Sequence, residues 1–196
     1  KLKDKISRGK KKDGMARQSY CARMLQESGL TFEDVTAKVF HQDKNKTVAL
    51  SPTFFAGTVD SHGNIDRTGD DAVIAYYDLE GLPITYEQKD AKGRLTGKTK
   101  EYFRIRWQFP DEHLDKEGKP FKYKSPYGAA TYVYIPERIR ERYHKAEPIP
   151  RLFIQEGEKK AEKACKHGIR SVAISGIGNI ATNKRLPEDI IKIISV

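Results

Sequence analysis

Between Leu152 and Ser175 two short apolar runs flank a charged run, and this arrangement limits the folds open to the chain more than any other feature. Leu152 to Gln155 predicts a short strand, Glu158 to His167 a helix, Gly168 its stop, and Ser171 to Ser175 a second strand. Strand, helix and strand with short connections imply a βαβ unit, with two parallel strands covered by helices. Pro187 to Ile194 starts another helix.

Upstream the pattern is different. Gly14 to Ser28 reads as a helix with Met15, Cys21, Met24 and Leu25 at near-helical spacing, and Thr31 opens a cap-like start to a second helix through about Val39. His41 to Asp71 predicts loops with short strands at Val48 to Leu50 and Phe54 to Ala56. Ala72 to Leu79, the turn Glu80 to Pro83, and Ile84 to Glu87 look like a β-hairpin. From Glu101 to Phe109 the residues alternate, which predicts a half-buried strand packing Phe103, Ile105, Trp107 and Phe109 while Tyr102, Arg104, Arg106 and Gln108 face solvent. Phe121 to Ser125 and Thr131 to Ile135 are two more strands, and Pro136 fits the first position of a helix over Glu137 to Lys145.

The expected organisation is a flexible basic arm (1–14), an N-terminal α+β region with hairpins (15–147) and a third unit (150–196). The proline-rich stretch Glu147 to Pro150 marks the boundary, because two prolines in three residues stop both helices and central strands.

Charge narrows the partner. Of 196 residues, 37 are Lys or Arg against 27 Asp or Glu, a formal net charge of +10, which points to a polyanion. The excess is regional: residues 1–17 carry eight basic and two acidic side chains, 89–124 eleven and six, and 137–170 ten and six, while 51–88 hold one Arg and seven acids. No apolar run is long enough for a membrane span, and the basic start is followed by no apolar signal region. Two cysteines, Cys21 and Cys165, sit in no spaced motif, so a reducing cytoplasm is the economical expectation.

Several motifs bear on chemistry. Gly93 to Thr99 (GRLTGKT) resembles a phosphate-binding loop but is one residue short and leads into a strand, so a basic hairpin loop is the better reading. Gly176 to Ala181 (GIGNIA) fits G-x-G-x-x-A, although it follows the second strand of its unit and precedes poor helix formers. The five histidines share no metal-ligand spacing. Cys165 reads as a packing residue of its helix. Glu156 falls at the carboxyl end of a parallel strand, where open α/β sheets place their ligand sites, and Gly157 permits a tight turn into the helix. Glu156 and Glu158 read equally as carboxylates that simply favour the positive helix end.

The run LFIQEGEKKA, followed by Gly168-Ile169 and Val172 to Gly176, resembles the first half of a toprim domain, the fold shared by DnaG-type primases, topoisomerases and related nucleases. Together with Lys122 to Gly128 (KYKSPYG), it is similar to an uncharacterised toprim-like family of plasmid, phage and transposon replication proteins. The resemblance begins at Lys122 and implies a partial α/β toprim-like βαβ unit with parallel strands; with the pattern upstream, the expectation is an α+β chain in which N-terminal helices and an antiparallel β-rich region precede that unit. It implies a primase-like protein of a mobile-element DNA replication system, with Glu156 as general acid or base and a ligand of Mg²⁺. Gly157, Gly176 and Gly178 would shape the surrounding loops. DNA, single-stranded or duplex, would be contacted by Lys159, Lys160, Tyr102, Arg104, Arg106, Lys122 and Lys124. Nucleotides and a replicative helicase are the further partners implied. The D-x-D pair that completes the metal site in toprim enzymes occurs nowhere in this sequence, so Glu156 alone would hold Mg²⁺ weakly. The expectation is a fragment truncated before that motif, active only as the full-length protein. The alternative is a non-catalytic nucleic-acid-binding module.

Overall fold

The computed structural model describes residues 18–39, 48–60, 64–176 and 186–196, so the expected basic arm lies outside it. Helix α1 (Tyr20–Glu27) starts at Ser19, whose hydroxyl accepts the Ala22 N–H at 3.2 Å, and it buries Cys21, Met24 and Leu25. The second expected helix is instead one 3₁₀ turn (Glu33–Val35) leading into strand β1 (Thr36–Val39). The Asp34 carboxylate accepts from both the N–H and the hydroxyl of Thr31, which closes a local turn, and the β-branched residues that follow favour the strand. Strand β1 pairs antiparallel with β2 (Val48–Pro52).

Strands β3 (Phe54–Val59) and β4 (Ile65–Ala75) begin a four-stranded antiparallel sheet. A bulge after Gly57 brings Gly69 so close to Thr58 that a Cβ there would meet its backbone nitrogen at 2.6 Å, which leaves no room for another residue type. The turn expected after Leu79 forms, with Asp78 holding the Leu82 N–H at 2.8 Å, but the expected hairpin is only one bridge long, Tyr77 to Pro83. Strand β5 (Thr85–Lys89) instead pairs with β6 (Leu95–Glu101) in a separate hairpin. The reason is that β4 already uses both edges, on β3 and on β7 (Phe103–Arg106), which in turn pairs with β8 (Tyr123–Lys124).

The strand expected over 101–109 therefore divides at Tyr102, and its supposed solvent face is buried. Phe103, Ile105 and Trp107 pack with Val73 on one side. On the other, Tyr102 is 2% exposed and Arg104 9%. Burial of both faces is what a sheet covered on each side imposes.

After β9 (Val133–Tyr134) and α2 (Glu137–His144), β10 (Phe153–Gln155), α3 (Glu158–Lys166) and β11 (Ser171–Ile174) follow close to their expected bounds. Strand β10 runs parallel to β11, with Gln155 opposite Ala173, and β9 lies antiparallel on the other edge of β11. The residues at 147–150 do not divide the fold, because β9 before them pairs with β11 after them. Ile149 itself is buried with Ile139 and Val172. Gly168 ends α3 in the left-handed conformation (φ 79°), with its N–H on the Cys165 carbonyl and the Ile169 N–H on that of Ala164. Helix α4 (Glu188–Ile194) packs Ile190 and Ile193 into the same core.

Helix α3 turns Glu158, Ala161, Glu162 and Cys165 inward, the i, i+3, i+4, i+7 stripe of one helix face. Glu162 is 1% exposed and accepts the Tyr134 hydroxyl at 2.7 Å, with Thr53 Oγ1 3.1 Å from the same hydroxyl. Burial pushes the Glu162 carboxyl up to about 7. The folded protein thus holds this proton to higher pH than the unfolded chain, so the stability linked to it is full at acid pH and declines as pH rises toward 7. The melting temperature of Glu162→Gln relative to wild type should therefore rise by several degrees between about pH 5 and about pH 8. A difference that stays constant with pH would contradict a buried, proton-holding Glu162.

Candidate nucleic-acid interface

Strand β10 ends at Gln155, Glu156 and Gly157 make the turn, and α3 begins at once. Gly157 is the N-cap in an extended conformation (φ −152°), and a Cβ there would meet nothing. The tight turn expected at Gly157 forms, and it leaves room for a side chain there. No side chain caps the start of this helix, so its first N–H groups and positive end are not offset by a capping side chain.

The two glutamates of the motif have opposite fates. Glu156 points to solvent, its side chain 65% exposed, with Lys160 Nζ 3.6 Å from its carboxylate. Glu158 is 2% exposed and accepts the Tyr76 hydroxyl at 2.6 Å and the Arg104 guanidinium at 2.5 Å. Burial disfavours the charge on Arg104, and the Glu158 carboxylate beside it more than offsets this, so its pKa is raised. Arg104 and Tyr102, read from the sequence as exposed contacts, are thus interior residues: Arg104 neutralises a buried carboxylate, and Tyr102 packs edge-on against Tyr76 at 4.9 Å between ring centres. Glu158 was legible as more than a helix-end charge, since it lies on the same helical stripe as Ala161, Glu162 and Cys165.

Inward anchoring of Glu158 and Glu162 turns the lysines of α3 outward. Lys159, Lys160 and Lys163 line a cleft of about 730 Å³ together with Arg106 and Tyr123 of the antiparallel sheet. Arg106 is held in place by Nε donating to Tyr20 Oη at 2.9 Å and Nη1 donating to Tyr123 Oη at 2.6 Å. Lys159 is half-buried, and burial followed by the nearby Arg106 charge lowers its pKa, partly offset by Glu27 and Glu158. Glu158 also borders the cleft, but its charge is spent on Arg104. The arrangement can hold an anionic, phosphate-sized group between lysine ammonium groups, an arginine and the open start of a helix.

Of the other sequence-selected residues, Lys122 and Lys124 are exposed on and beside β8 but do not line this cleft. Gly176 follows β11 with φ 75°, and Gly178 lies outside the described residues, as does most of GIGNIA. GRLTGKT forms the turn and outgoing strand of the β5–β6 hairpin. Cys21 and Cys165 are free and buried, and burial pushes both thiols up to about 12, which makes them packing residues. Among the described residues no group of three or more His, Cys, Asp or Glu is placed to hold a metal ion. Glu156 belongs to no such group among the described residues, and Lys160 is the charged side chain beside it. Among the described residues no helix is long and apolar enough to cross a membrane.

Comparison with protein-family models, curated proteins and solved structures finds no match.

The two glutamates should separate in urea unfolding. Glu158→Ala leaves Arg104 buried and unpaired and should cost about 3–5 kcal/mol, whereas Glu156→Gln at an exposed position should stay within about 0.5 kcal/mol of wild type. Equal effects would contradict the assignment of the interior role to Glu158.

Proposed function

We propose that this chain belongs to a primase-like toprim protein of a mobile-element DNA replication system and that it grips the phosphates of DNA in the cleft beside α3. The observation that carries the nucleic-acid reading is the convergence of Arg106, Lys159, Lys160 and Lys163 on one opening at the carboxyl end of a parallel strand. The position of Glu156 at the end of β10, with α3 leading on to a parallel β11, supports the toprim-like reading, since a strand-end glutamate is what that resemblance implies. In this reading Glu156 serves as acid or base at a phosphoryl centre, and Mg²⁺-dependent transfer belongs to the full-length protein. Such a protein would work in the cytoplasm, with DNA, nucleotides and a replicative helicase as partners.

One observation favours a second reading, a non-catalytic nucleic-acid-binding module. Glu156 is engaged with Lys160, and no carboxylate cluster accompanies it among the described residues.

Fluorescence anisotropy of labelled DNA across a salt series tests the binding claim. Replacing Lys159, Lys160 and Lys163 together by Ala should lower the slope of log K against log salt by about 2–3 and weaken binding at low salt. A slope equal to that of wild type would sink the cleft as the DNA site. Phosphoryl-transfer assays on the full-length gene product with Mg²⁺ divide the two readings. On the catalytic one, Glu156→Gln lowers the rate by about a hundredfold or more while DNA binding persists, and an unchanged rate leaves the binding module.

A further inference from the structure

A second groove, of about 450 Å³, lies between the β5–β6 hairpin and the four-stranded sheet. The hairpin supplies Lys89, Lys98 and Lys100, β8 supplies Lys124, and the loop after β8 supplies Tyr127. Lys98 and Lys100 are two residues apart on β6, so strand geometry sends both to one face, the face that Tyr86 shares across the ladder. Among the described residues no carboxylate forms an ion pair with Lys89, Lys98 or Lys124. Asp60, at the edge of the groove, accepts both the N–H and the side-chain amide of Asn64.

Tyr127 is 70% exposed, the largest exposure of any large hydrophobic residue among the described residues, while residues on either side of it contact the rest of the fold. Ser125 accepts the Tyr102 hydroxyl at 3.3 Å. Gly128, at φ 76°, lies so near the hairpin that a Cβ would meet the Lys89 side chain at 2.8 Å. These flanking contacts place an exposed aromatic ring beside a lysine-lined groove. Lysines that track phosphates, with an aromatic face for a base, are the two components of a single-strand site. A duplex keeps its bases stacked inside and offers no face to such a ring.

We propose that this groove is a second nucleic-acid site, separate from the α3 cleft, that holds a single strand with one base stacked on Tyr127 and its phosphates beside Lys89, Lys98 and Lys124. It does not depend on the α3 cleft, and the two can fail independently.

The test compares a short labelled oligo-dT with a duplex of equal length by anisotropy at fixed low salt. Tyr127→Ala should weaken oligo-dT binding about tenfold and leave duplex binding unchanged, and Tyr127→Phe should restore it, because a ring and not a hydroxyl is required. Replacing Lys89, Lys98 and Lys124 together by Ala should lower the salt slope for oligo-dT by about 2. All these side chains lie on exposed surface, and circular dichroism checks that each variant is folded. Oligo-dT binding that survives both variants while the Lys159, Lys160 and Lys163 variant abolishes it overturns the groove and keeps the cleft; the reverse pattern keeps the groove and overturns the cleft. Equal losses on duplex and single strand overturn the single-strand assignment, and so does displacement of oligo-dT by poly-glutamate at matched charge.

Discussion

Two acidic side chains buried on one face of α3 govern how this chain is put together. Glu158 and Glu162 stand one helical turn apart, and neither can be buried without partners. Those partners come from far along the chain: Tyr76 and Arg104 for Glu158, Tyr134 for Glu162, with Thr53 beside that tyrosine. The helix is therefore fixed in its roll against the antiparallel region as well as against its own strands, and the rings of Tyr76 and Tyr134, 5.2 Å apart edge to face, close the space between the two glutamates. A buried arginine repeats the device on α2, where Arg140, fully buried, donates to Glu137 at 2.7 Å while Glu137 also accepts the Lys38 N–H.

The surface follows from this interior. A helix whose acids face inward presents its bases outward, and α3 does so with Lys159, Lys160, Lys163 and Lys166. Lys166 is tied to the Gly29 carbonyl and to Asp34, so it braces the 3₁₀ turn against α3, and the three lysines nearer the helix start are left to border the cleft. On the described surface the lysines gather in two separate cationic features, a cleft beside a helix start and a groove under a hairpin. Field from fixed cations in concave surface steers and holds a polyanion better than the same charge spread evenly.

Local pattern carried the last third of the fold. The bounds of β10, α3, β11 and α4 are legible because short apolar runs, a glycine stop and a proline start each act within a few residues. What was not legible depends on distant partners. The alternation from Tyr102 to Gln108 reads as one wet face and one dry face only if nothing covers the wet face, and α3 covers it. Prolines at 148 and 150 read as a boundary, but the pairing of β9 with β11 is invisible in the local text. Preference between Glu156 and Glu158 turned on strand-end position, which is a rule about ligands. Burial of Glu158 follows instead from the helical stripe it shares with Ala161, Glu162 and Cys165. The lysine groove joins Lys89 and Lys98 to Lys124 across three strands, a juxtaposition no local reading supplies.

The central claim is that anchoring of Glu158 and Glu162 presents the lysines of α3 to a phosphate backbone. Lysine reactivity measured by mass spectrometry, with and without bound DNA, addresses it directly. Lys159, Lys160 and Lys163 should be shielded in the complex while Lys145 after α2 and Lys192 on α4 keep their free-protein reactivity. Shielding of Lys145 and Lys192 with the α3 lysines left as reactive as before would contradict the account.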